Sequence, residues 1–353
     1  MKVIKQTSPY IRKETSTKRM MIDVLIALMP VVLFSIYRFG FDAIIRILVS
    51  LVVMIGVEAF AFGLMNKPSK KGTKFEKFKS RYKDYTINNV TAPAVSAIVF
   101  SMIVPSTLPI YAIIIGAVVG IGIVKMFFGG LGSNIFNPAA AGRIFIGIAL
   151  AGMFVYQGID LAAGATPLSS SLGFSELIGR YPLKDLFFGN IPGSMGEINA
   201  LAILIGAAYL LIRKAADFRV MLAALGAFAI PMIFAGLALH PDHLIEYVLY
   251  HVLSGGLLFG VVFMITDPVT SPVTRPGRWM FGILIGSVVV LIRLFGAYPE
   301  GMAFAILLGN IFVPMFDYPK YATNKYSWKS ILGMVIAVLL VSVIVFFGLG
   351  GSL

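Results

Sequence analysis

Eleven stretches of roughly 15 to 23 almost uninterrupted apolar residues recur along this chain of 353 residues, and a bilayer is the solvent that accommodates such a pattern. They run from Met20 to Tyr37, Ala43 to Met65, Asn89 to Val104, Ile110 to Phe128, Ala139 to Tyr156, Ile198 to Ile212, Val220 to Leu239, Leu244 to Ile265, Trp279 to Gly296, Met302 to Phe316 and Ser330 to Phe347. Helices are expected, because lipid offers backbone amides no partner and the runs are too long and continuous for alternating barrel strands. Hydrophobic residues make up 58% and charged residues 13%, which excludes a soluble enzyme, a secreted disulfide scaffold and a disordered chain. The absence of cysteine removes disulfides, thiolate metal sites, c-type haem attachment and iron–sulfur ligation. The polar first 19 residues lead into a long apolar run without a small-residue cleavage site, so that run reads as an anchor and nothing is expected to be removed.

A net charge of +13 in a soluble chain would suggest nucleic acid. With a cytoplasmic N-terminus and every run crossing, 24 of the 29 Lys and Arg fall inside, among them Lys125 and Arg143. Arg38, Arg46, Arg180, Lys184 and Arg293 remain outside with eight acidic residues. The excess is therefore read as the positive-inside rule, with no nucleic-acid partner, and the C-terminus is expected outside. The basic stretch GTKFEKFKSRYKDY also suits an anionic membrane surface or an acidic partner, and the sequence does not choose between them.

The expected organisation is a basic N-terminus (1–19), a five-helix repeat (20–156), an outer loop (157–197), a second five-helix repeat (198–317), and a linker with an extra helix (318–353). IVFSMIVPSTLP from Ile98 is echoed by VVFMITDPVTSP from Val261, and an odd number of spans in the first half makes the second an inverted copy. Sites in such folds lie where Gly and Pro break helices, here VPSTLP, GGLGSNIFNPAAAG and DPVTSPVTRPG, although the same residues are ordinary in loops.

Asp23 and Glu58 fall within apolar runs, where a carboxylate costs roughly 2.5 to 3.5 kcal/mol and so tends to face a cavity, a partner or an ion path. Asp23 lies near enough to its helix end to reach the interface; Glu58 sits deeper. Asp317 closes an apolar run, where a solvated helix end is the plain alternative. His240, His243 and His251 gather in HPDHLIEYVLYH, but their spacing matches no standard metal site. In GAVVGIG from Gly116, the G-x-x-x-G spacing most economically means close helix packing. The loop tetrapeptide Gly164, Ala165, Thr166 and Pro167 exposes a hydroxyl open to esterification, a signal too common to decide anything alone.

GGLGSNIFNPAAAGR from Gly129, TDPVTSPVTRPGRWMFGILIG from Thr266 and RLFGAYPEGMAFAILLGNIFVPMFDY from Arg293 closely resemble one family. It is the membrane flavoprotein family shared by the D subunit of the Rnf ferredoxin:NAD oxidoreductase and the B subunit of the sodium-pumping NADH:quinone reductase. The resemblance covers nearly the whole chain, to Tyr318. It implies an all-α polytopic membrane protein with a ten-helix core of two inverted five-helix repeats, like urea transporters, in a bacterial or archaeal cytoplasmic membrane. It also implies FMN joined through its phosphate to Thr166 by a flavin transferase, with Gly164 and Ala165 completing the motif and Ala163 standing where Ser or Asp is common. A second, non-covalent riboflavin is implied without assignable ligands.

By the same resemblance the chain carries electrons within an ion-translocating complex, makes contact with the other Rnf subunits, moves Na+ or H+, and is not catalytic alone. Glu58, Asp317 and Asp23 are the expected ion-pathway residues. The short polar N-terminus favours the Rnf D subunit, with the quinone-reductase B subunit as the alternative. From other classes, a small-solute channel or transporter and a passive assembly scaffold remain open. The run Ser330 to Phe347 departs from the family as an added helix.

Overall fold

The computed structural model describes residues 17–69, 73–157, 163–164, 167–168, 173–296, 301–318 and 325–350. Its helices are α1 (Thr17–Phe39), α2 (Phe41–Met65), α3 (Lys74–Arg81), α4 (Asn88–Met102), α5 (Ile110–Val118), α6 (Pro138–Ala149), α7 (Phe174–Arg180), α8 (Leu183–Phe188), α9 (Ala200–Ile212), α10 (Phe218–Leu239), α11 (Leu244–Leu253), α12 (Leu257–Phe259), α13 (Arg275–Phe295), α14 (Met302–Phe316) and α15 (Trp328–Gly348). Helix α5 continues as a π-helical segment over Val119–Met126, and α12 does so over Gly260–Met264. The strand content among the described residues is one two-residue bridge, β1 (Tyr156–Gln157) against β2 (Ala163–Gly164), with Tyr156 opposite Gly164.

The chain is an all-α, multi-pass membrane protein, with helices at all eleven expected spans, but their lengths differ from the expectation. Helices α1, α2, α10, α13 and α15, of 21 to 25 residues, are long and apolar enough to cross alone, and α11 with α12 forms a sixth crossing bent by 58°. The helices at the expected spans of α4, α6 and α9 are shorter than expected, at 12 to 15 residues, while α14 keeps its expected bounds. The physical reason is at their ends, where Pro, Gly and Asn close or open the helix: α4 stops before the Pro105 turn, and Asn137 with Pro138 starts α6.

Packing follows small residues. Helix α10 lies along α13, where a Cβ on Gly282 or Gly286 would fall 2.6 Å from Val220 O or 2.3 Å from Ala224 O. The G-x-x-x-G pair behaves as its spacing predicts: a Cβ on Gly120 would sit 2.5 Å from Pro138 O, and one on Gly142 2.5 Å from Gly116 O. The end of the expected outer loop is not a surface loop. Residues 191–200 are buried, and their amides enter the core, Met195 N–H donating to Val104 O (3.2 Å) and Gly196 N–H to Met102 O (2.7 Å). Helix α15 packs on α10 and α13 and leaves most of its surface outward, as a lipid-facing helix does.

Candidate functional site

Two broken helices meet near the basic end of the bundle. Asn137 caps α6 by accepting from the Ala139 and Ala140 amides at 3.0 and 3.2 Å. Its own N–H donates to Asn310 Oδ1 of α14 (3.0 Å), and Asn310 Nδ2 donates to Thr270 O (2.9 Å). Asn137 Nδ2 reaches Met264 O, where the π-helical segment after α12 ends, at 3.4 Å. Backbone groups freed by the breaks at 134–138 and 265–274 are thus satisfied across the two halves, which polar helix breaks within a bilayer require.

Beside this stitch lies a narrow cleft with room for about 70 Å³. Met20, Met21, Ala215 and Ala216 stand among its walls, with Asn134, Asn137, Thr266, Asp267 and Lys125 as its polar lining. Its apolar walls with a few convergent polar groups have the lining of a ligand site, although its room is below that of a cofactor pocket. Asp267 accepts from Val269 N–H (3.2 Å) and the Thr270 hydroxyl (2.9 Å).

Behind the cleft, Lys125 Nζ lies 2.5 Å from Glu58 Oε2, with Lys125 2% and Glu58 0% exposed. Glu58 is therefore not at a solvated surface, and its second oxygen, Oε1, is buried without a hydrogen-bond partner. Lys125 and Arg143, counted from sequence as inside surface charges, are both buried; Arg143 Nε donates to Ile103 O (2.7 Å). Arg293, expected outside as a surface charge, is half-buried and holds the break between α11 and α12 by donating to His251 O (2.5 Å) and Ser254 O (3.1 Å).

The other expected residues are spread apart. Asp23 accepts from Tyr209 OH and Arg213 Nε, both at 3.1 Å, joining α1 to α9. Asp317 accepts from the Val273 and Thr274 amides (2.7 and 3.0 Å) and the Thr274 hydroxyl (2.7 Å), anchoring the start of α13. His243 Nδ1 meets Glu246 at 2.8 Å on the surface and His240 stacks on Phe174, and among the described residues no three metal-ligating side chains converge. Ala165 and Thr166 lie outside the described residues. Their described neighbours are Gly164, in the bridge with Tyr156, and Pro167 and Leu168, which line a small cavity with Ile191, Glu197 and Gly255.

Sequence reasoning missed the partner of Glu58, the Asn137–Asn310 stitch and Asp217. Asp217 takes Arg219 at 2.9 Å and also the Arg278 guanidinium, tying α10 to α13. The recurrence of NIF in SNIFNP and GNIFVP equates Asn310 with Asn134, not with Asn137, so it does not signal the stitch.

A profile of the NQR2, RnfD, RnfE family matches residues 4–325. The B subunit of the Na(+)-translocating NADH-quinone reductase of Klebsiella pneumoniae (strain 342) is 42% identical over 250 residues, 67% of this chain and 61% of that protein. The corresponding B subunit of Chromohalobacter salexigens is 37% identical over 64% of this chain and 57% of its own length. That of Haemophilus influenzae (strain PittEE) is 34% identical over 88% and 85%. The matched region thus spans less than two thirds of the length of the first two relatives, while the third aligns along most of both chains.

Proposed function

The chain belongs to the NQR2, RnfD, RnfE family, and from that premise we propose that it is the flavin-carrying membrane subunit of an ion-translocating electron-transport complex. Between the two family types, the relatives favour the NADH–quinone reductase B subunit over the Rnf D subunit that the short N-terminus suggested. The Rnf D subunit is kept as the second reading, since the family profile includes both.

The observation that carries the flavin reading is the segment around Thr166. Pro167 is buried and Leu168 packs where Gly255 has no side chain, at the edge of the buried 191–200 stretch and close to Arg293. A hydroxyl presented beside this anchored turn fits a phosphoester-linked FMN, and a covalent link sets the effective concentration of a cofactor that faces solvent. Bound there, the flavin supplies one- and two-electron transfer; the chain's residues hold and orient it. The cleft at Asn134, Asn137 and Asp267 offers a second, non-covalent flavin a few polar donors and acceptors, but at about 70 Å³ it would have to widen to admit the ring.

Of the three expected carboxylates, Glu58 is the one we assign to the ion path. Asp23 and Asp317 are taken up by packing partners, whereas Glu58, paired with Lys125 through Oε2, keeps Oε1 buried without a partner. The orientation we propose places the N-terminus in the cytoplasm of a bacterium or archaeon, with Thr166 and the end of α15 on the far side. The partners are then the other subunits of the complex and the flavin transferase.

The test is direct. The denatured full chain, produced with a flavin transferase, should fluoresce as a flavin band on a gel, and Thr166→Ala should abolish the band. A dark band from cells that modify a control substrate would end the reading.

A further inference from the structure

Carrying electrons does not by itself require the charge arrangement behind the cleft. Lys125 Nζ donates to Glu58 Oε2 at 2.5 Å, while Glu58 Oε1 is buried with no partner. On its other side Lys125 lines the cleft with Asp267, close enough for its charge to act on that carboxylate. One ammonium thus pairs with Glu58 and lies within electrostatic reach of Asp267, and with all three groups ionised the set carries one net negative charge. Excess charge is costly beside the buried, unpartnered Glu58 Oε1, so the set favours a monovalent cation or a proton.

Resting on the ion-translocating reading above, we propose that Lys125 is a tethered counter-cation. It neutralises Glu58 until a mobile monovalent cation takes that carboxylate, and then swings to Asp267 on the cleft side. Each positive charge replaces another, so Glu58 is neutralised in both states, and the swing also neutralises Asp267. The side chain suits the role: a compact ammonium on a flexible four-carbon stem can change partners, where a planar guanidinium would be held by paired contacts. So does its backbone. Lys125 stands near the end of the π-helical segment Val119–Met126, and π-bulges are frequent at functional sites.

A competing charge is the buried Arg143 on α6, packed against the π-helical segment with its Nε donating to Ile103 O, while α2 itself adds the Asp42–Arg46 pair. Helices α4 and α5, packed against α2, carry no charged side chain, and the π-helical segment contributes Lys125 alone. Tyr85 lies within electrostatic reach of Glu58. Helix α1 brings Asp23, which is paired with Arg213, together with Arg38, Lys18 and Arg19; α3 brings its basic residues and Glu76 at the end of α2.

The exchange is read as chemical protection of one lysine in the purified full chain. Formaldehyde with a borane reductant methylates accessible amines, and peptide mass spectrometry gives the rate at Lys125 relative to exposed Lys77. In choline chloride Lys125 should be protected. Replacing choline by sodium should raise its relative rate about tenfold, a usual size for coupled binding. Glu58→Gln should make Lys125 reactive in both salts. If the proton is the mobile cation, acidification in choline raises the ratio and sodium does not.

A Lys125 rate that follows neither sodium nor acid in the unmodified chain overturns the proposal, whatever Glu58→Gln does, and that arm needs no variant to fold. A flat Lys125 rate in a chain that bears covalent flavin sinks the counter-cation alone. A responsive Lys125 in a chain that cannot be flavinylated sinks the flavoprotein reading and leaves the exchange standing.

Discussion

Lys125 Nζ lies 2.5 Å from Glu58 Oε2 across 67 positions of sequence, joining the π-helical extension of α5 to α2 inside the bundle. Glu58 has no water to turn to if Lys125 is removed, whereas Lys125 without Glu58 still has Asp267 on the cleft side. Lys125→Met is therefore expected to cost about 3 to 5 kcal/mol, Glu58→Gln less, and the double variant markedly less than the sum. Thermal or denaturant unfolding in detergent measures this. Strictly additive losses would show that the two side chains do not depend on each other.

The helices were legible in the sequence because lipid-facing helices write themselves as long apolar runs. The carboxylate at Glu58 was legible because a charge in such a run stands out. Its partner was not: Lys125 sits near the end of an apolar run, where a lysine reads as a topological charge, and Arg143 was hidden in the same way. The burial of 191–200 escaped notice because IPGSMGEINA has loop composition, and only the tertiary pairing of Met195 and Gly196 with Val104 and Met102 draws it inward. Asn137 and Asn310 looked like ordinary break residues, since a hydrogen bond between halves of a chain has no local signature.

Asp217 links the start of α10 to α13 and gives a pH signature. Burial by itself pushes its carboxyl up, but the Arg219 amide and the Arg278 and Arg219 charges outweigh burial and hold it below the usual carboxylate range. A group with a depressed folded-state value contributes in full above the unfolded value, and that contribution fades as pH falls through the folded one. Asp217→Asn should therefore lower the melting temperature at neutral pH, and the gap to the parent should narrow between about pH 5 and about pH 3. A gap that stays constant over that window would remove the ion pairs as its cause.

Asp317 holds three donors of the segment entering α13, and Thr274, one of them, in turn accepts from Gly277 N–H at 3.2 Å. Asp317→Ala leaves these donors unsatisfied and is expected to cost about 1 to 3 kcal/mol. Amide hydrogen exchange should quicken at residues 273–278, while Asp317→Asn, which keeps one acceptor, should fall between the two. Unchanged exchange in Asp317→Ala would free the residue for a role in ion movement.

The last expectation concerns the backbone that carries Lys125. Gly120 lies five residues ahead of it on the same π-helical segment, and a Cβ there would meet Pro138 O at 2.5 Å, a backbone atom that cannot turn aside. Gly120→Ala must therefore push the segment away from α6, at about 1 to 3 kcal/mol. The displacement should loosen the contact with Glu58 and raise the methylation rate of Lys125 in choline. Gly122→Ala is the internal control, since its Cβ would meet Val57 at 3.4 Å in ordinary contact and should leave both stability and Lys125 protection near the parent. Equal behaviour of the two variants would show that close packing of the π-helical segment on α6 does not hold Lys125 in place.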